Sequence, residues 1–163
     1  MQKGLINMVE IASKVNKIIV SEIEKHENRK KYDTGFKIVS GEGKFGIIIQ
    51  GVMMILLPEK YRVFDIDRLI PYFGTPVKTE TMLHRIDYLE YSTASNNINA
   101  IAADGKSELM IFDNSKPSGH IKVQKDLLKP FYFPGMIWQC KDERSFLIGY
   151  SLGEPCVYLL GVR

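Results

Sequence analysis

Apolar residues recur at three- and four-residue steps through the first thirty positions. Leu5, Met8, Val9, Ala12, Val15, Ile19 and Ile23 are placed to share one face of a helix over 4–28. Glu10 and Lys14 stand four apart in the order that favours a side-chain ion pair. The rhythm stops in Lys25–Lys31, where basic residues suit the negative end of a helix dipole and the helix is expected to fray. Many positions are β-branched (Val9, Ile11, Val15, Ile18, Ile19, Val20, Ile23), which lowers intrinsic helix propensity. Packing against a sheet must therefore hold this helix.

After Tyr32 the period falls to two. Phe36–Ser40 and Phe45–Gln50 read as strands joined at Gly41-Glu42-Gly43-Lys44, and Val52–Leu57 as a third strand ended by Pro58. Their apolar residues barely alternate, which predicts strands buried on both faces. Asp65–Phe73 reads as a short helix capped by Asp65 and stopped by Gly74. Val77–Tyr91 alternates as a strand, with Met82, His84, Ile86 and Tyr88 on one side. Ile98–Ala103 and Ser107–Phe112 flank Asp104-Gly105, a hairpin signal.

The last section reads as strand Ile121–Gln124, short helix Lys125–Phe131, and a meander of Met136–Lys141, Phe146–Tyr150 and Cys156–Val162. The expected fold is α+β. A mainly antiparallel sheet of about ten strands carries one long N-terminal helix and two short ones. We expect a single domain over 1–163, made of the helix 4–28, a strand-rich stretch 34–113 and a strand–helix–meander 120–163. Its 163 residues allow one domain with a core and leave little room for a second.

No apolar run reaches the roughly 20 residues that cross a bilayer; the longest, Phe45–Leu57, is broken by Gln50. No cleavable leader is apparent, so a cytoplasmic location and no membrane partner are expected. Cys140 and Cys156 could meet across neighbouring strands, and in that compartment would be reduced.

Charge adds one asymmetry. Residues 1–31 hold seven basic and four acidic residues, and the rest of the chain fifteen of each, so the N-terminal segment carries the whole net charge of +3. Lys14, Lys17, Lys25, Arg29, Lys30 and Lys31 are therefore the candidate DNA-binding residues. Phosphate contact needs only positive groups along a line. The competing reading is a solvated helix end balanced by Glu22, Glu24 and Glu27.

Catalytic motifs are weak. Gly41–Gly46 spells G-x-G-x-x-G, but a strand-like Ile47-Ile48-Ile49 follows where a dinucleotide site needs a helix. Asp33-Thr34-Gly35 matches the aspartic-protease triplet but follows a charged helix end rather than an apolar strand. His26, His84 and His120 are isolated from further ligands at metal spacing. Asp65/Asp67 and Asp142/Glu143 read as a cap and a turn. No catalytic residue, metal or cofactor is expected, and the chain reads as a non-enzyme.

In the C-terminal third, Ile121-Lys122-Val123-Gln124-Lys125-Asp126-Leu127-Leu128-Lys129 runs from strand into helix. A meander follows, ending in Cys156-Val157-Tyr158-Leu159-Leu160-Gly161-Val162-Arg163. This order resembles the last domain of bacterial DNA sliding clamps, whose terminal strand is of the type Tyr-Leu-Val-Met-Pro-Met-Arg-Leu. Leu160, Gly161, Val162 and Arg163 stand where that family has Met-Pro-Met-Arg, with Gly for Pro and both Met replaced. The opening helix, basic connection and hairpin ending in Gly51-Val52-Met53-Met54 are also similar.

The resemblance implies a clamp-like DNA-binding or replication-accessory protein, phage- or mobile-element-encoded, working as a homo-oligomer or a stand-alone copy. Helix lysines would face DNA, and Leu160, Val162 and Arg163 would take part in docking a replication partner. Two other classes compete: a protein-interaction module using exposed aromatics such as Tyr72, Phe73, Phe131, Tyr132 and Phe133, and a small hydrolase with a scattered site.

Overall fold

The computed structural model describes residues 3–28, 35–87, 99–102, 109–113, 120–133, 136–141 and 146–160. Helix α1 spans Lys3–Asn28, and β1 (Lys37–Gly41), β2 (Lys44–Ile49) and β3 (Met53–Pro58) follow. The last residue of β3, Pro58, leads into a 3-10 turn, Glu59–Tyr61. Next come α2 (Ile66–Phe73), β4 (Val77–Lys78) and α3 (Thr79–Asp87). Then come β5 (Asn99–Ala102), β6 (Leu109–Asp113), β7 (His120–Gln124), α4 (Lys125–Leu128), β8 (Ile137–Lys141), β9 (Phe146–Ser151) and β10 (Glu154–Leu160).

The fold is α+β with one long N-terminal helix. Its main sheet is mixed and runs β4-β1-β2-β3-β10-β9-β8, six full strands plus the two-residue β4. The β1–β4 pair is parallel and the other pairs are antiparallel. The strands β5-β6-β7 form a separate antiparallel sheet, so the expected single sheet is divided in two. The central seam joins β3 to β10, with Ile55 opposite Val157 and Met53 opposite Leu159.

Buried alternation explains the unbroken apolar runs. Phe45, Ile47, Met53, Ile55, Leu57, Val157 and Leu159 face the core under α1. Ile48, Met54, Leu56, Ile148 and Tyr158 face the other side, where Met82 and Leu83 of α3 pack against them. Both faces are covered, so the period-two signal is masked by apolar residues on either side.

The hairpins turn where their residues predict. Glu42 and Gly43 both have positive φ (54° and 72°), the backbone of a two-residue type I′ turn. This accounts for the glycine-rich motif as a turn. Leu152-Gly153 repeats the geometry between β9 and β10. Gly149 is required by packing instead: a Cβ there would lie 2.5 Å from Cζ3 of Trp138. The α2 helix starts and stops as expected, with Asp65 Oδ1 accepting from the Asp67 N–H at 3.2 Å and the Gly74 N–H donating to Ile70.

Four expectations are corrected. The strand expected over Val77–Tyr91 is not found in its described part, 77–87: two residues join β1 and the chain then turns into α3. Thr79, Met82, Leu83 and Ile86 also sit at helical steps, and the sheet's second face takes Met82 and Leu83. Short helices therefore number three among the described residues. Val9 leaves the core face of α1 and is 54% exposed, whereas Ile11 is fully buried in it. Cys140 and Cys156 are not on neighbouring strands, since β9 lies between β8 and β10, and Cys156 is a free thiol.

Candidate interaction surface

At 100° per residue, Lys14, Lys17 and Lys25 occupy an arc of about 80° on α1. Lys17 and Lys25 are exposed and Lys14 half-buried. Lys25 is drawn to Glu22, Nζ to Oε1 3.4 Å. The expected Glu10–Lys14 pair does not form among the described contacts, as is usual for solvated pairs whose attraction scarcely exceeds the cost of ordering two side chains. Over Lys3–Asn28 four lysines meet four glutamates, so the described helix is neutral and the surplus charge belongs to Arg29, Lys30 and Lys31. Those three lie outside the described residues.

Leu160 is half-buried at the end of β10, and its N–H donates to the Val52 carbonyl at 2.9 Å. Val162 and Arg163 lie outside the described residues, as do Asp33 and Thr34.

The aromatic candidates are mostly structural. Phe73 and Phe131 are core residues, and Phe73 meets the rings of Phe36 and His26 edge-on. Tyr132 is 37% exposed but stacks on Trp138, with centroids 5.3 Å apart. The Tyr72 hydroxyl donates to Glu27 Oε1 at 3.1 Å, and that carboxylate holds the phenol pKa above its ordinary value. This contact ties α2 to the last turn of α1.

The feature missed by sequence reasoning is a groove beside α1. It has a volume of about 490 Å³ and is walled by Ser13, Asn16, Lys17 and Val20 of the helix and by Val63 and Phe64 of the segment after the 3-10 turn. Arg62 shapes that segment: its Nη1 donates to the Phe64 carbonyl and its Nη2 lies 3.5 Å from Glu59 Oε1. Val9, Val20 and Val63 leave 54%, 44% and 70% of their surfaces in water. The Oδ1 of Asn16 is buried without a hydrogen-bond donor, a costly state for a polar atom. A signal existed in the sequence: valines 9 and 20 lie off the arc of Val15 and Ile19, so one core could not cover them all.

Elsewhere the chemistry is quiet. Cys156 is buried, donates to the Gly149 carbonyl at 3.5 Å, and has its thiol pKa pushed up to about 12 by burial. A backbone hydrogen bond from Ser151 and the charge of Lys44 offset that only in part. Among the described residues no three His, Cys, Asp or Glu side chains gather as a metal site, and no helix is long and apolar enough to cross a membrane. No protein family, curated protein or solved structure matches this chain.

Proposed function

We propose that this chain is a binding domain that docks another protein on the solvent face of α1. One observation carries the reading: the exposed Val20 and Val63 face each other across one open groove. Apolar surface in water is relieved by a partner that supplies apolar side chains. Groove walls on a long helix and a rigid turn are suited to recognition, since neither must be ordered on binding.

A photoreactive residue at position 20 tests this in cells. Adducts of higher mass, lost when Val9→Glu is added, are expected. The absence of adducts at position 20, with a reagent at Val77 as reference, would overturn the reading.

A second reading keeps DNA as the ligand and the chain as a clamp-like accessory domain. It is favoured by the shared arc of Lys14, Lys17 and Lys25, which leads toward the surplus charge at 29–31. Backbone binding of this kind is sequence-independent and weakens steeply with salt. Reversing Lys14, Lys25 and Lys30 together should abolish retention on duplex DNA at low salt; no retention of the native chain at low salt would dismiss it.

A further inference from the structure

The solvent face of α1 has an internal symmetry that names its partner. Val9, Ser13, Asn16 and Val20 follow a four-three-four spacing, which is the seam of a heptad pattern. This seam is separate from the one that meets the sheet through Ile11, Val15 and Ile19. The α1 helix thus carries an apolar face against the sheet and a second, open seam with a valine at each end.

We infer that the occupant of this groove is a second copy of the same chain, with the two α1 helices antiparallel about a two-fold axis that passes between Lys14 and Val15. The inference rests on the docking reading and deepens it. In this register each position faces the one that completes a sum of 29. Val9 of one copy meets Val20 of the other, at both ends of the contact. Ser13 meets Asn16, which sets two polar side chains opposite each other near the axis. Ser13 is small, which lets the helices approach closely at the axis. Val63 stands on the rim and extends the apolar wall against the second helix.

Charge supports the same register. Glu10 and Lys17 border the seam on one side, and the antiparallel arrangement brings Glu10 of each copy within about one turn of Lys17 of the other. No ion pair within the described chain engages either residue. A contact of this kind is isologous: each favourable pair occurs twice, and so does each repulsive pair after a charge change. Parallel alignment in register would instead put the Glu10/Lys17 flanks of the two copies on opposite sides of the contact, where they could not pair. Complementary flanking charges choose orientation in paired helices.

Sedimentation equilibrium of the purified full chain tests the inference. The native chain is expected to show twice the monomer mass at high concentration. Glu10→Lys and Lys17→Glu should each weaken the dimer by about tenfold or more, and the double variant should restore it. Val20→Glu should give a monomer with an unchanged circular dichroism spectrum, since the side chain is exposed in the single chain. A monomer at every concentration overturns the second copy as partner, and so does a dimer indifferent to both charge changes. The docking reading survives either result if position 20 still cross-links in cells to a different protein, and falls with the absence of any adduct.

Discussion

The two long faces of α1 both carry β-branched aliphatic residues that meet opposite surroundings. Val15 and Ile19 are fully buried against the sheet, whereas Val9 and Val20 are 54% and 44% exposed. Their local propensities are alike, so the difference lies wholly in azimuth. The buried face holds the fold: it shares one core with Phe45, Ile55, Leu57, Val157 and Trp138 from both ends of the chain. The open face contributes little to the isolated chain. The proposed docking surface therefore lies apart from the residues that hold the fold.

The strongest way to break this comparison is to shorten one residue on each face. Ile19→Ala should cost about 2–5 kcal/mol, because it loses transfer energy and leaves a cavity beneath α1. Val20→Ala should stay within about 0.5 kcal/mol in the monomer. Urea melts at low protein concentration check both, and equal losses would dissolve the distinction.

A smaller effect is expected on the sheet side of the same core. Gly149→Ala should cost about 1–3 kcal/mol, since the new methyl must displace the Trp138 ring. The displacement should also change the tryptophan emission, the chain having a single tryptophan.

The third expectation is graded by pH. Burial lifts the Cys156 thiol to about 12 in the folded chain, above the 9.0 of an ordinary thiol. The unfolded thiol therefore ionises first. The stability associated with the protonated thiol is whole below about pH 9 and is lost between about pH 9 and 12, at most about 1.4 kcal/mol per pH unit. Native protein should resist thiol alkylation at this site, and Cys156→Ala should flatten the alkaline limb of a stability profile. An equally steep limb in that variant would show that another group is responsible.

Much of the fold was legible because its signals are local. The cap at Asp65, the stop at Gly74 and the turn at Glu42-Gly43 each depend on one or two residues with special backbone or side-chain chemistry. Val77–Tyr91 was misread because Met82 and Ile86 satisfy both a two-residue and a four-residue step. Only the second face of the sheet, which takes Met82 and Leu83, decides between them. The candidate site was less legible still. Basic residues stand out in a sequence, yet the lysines of α1 are balanced by its glutamates. The groove's second wall carries no sequence mark: it is Val63 and Phe64, some fifty residues from Asn16.

By itself the sequence determined where α1, α2 and the first three strands lie and where the hairpins turn, and it set the apolar residues of α1 on a single face. The tertiary structure decided which face is hidden. Pairing of β3 with β10 joins positions near 55 and 157, a contact no local pattern encodes. It builds the floor on which Val15 and Ile19 settle and leaves Val9 and Val20 outside. Burial is collective, so whether a valine belongs to the core or to a binding surface depends on what the rest of the chain brings against it.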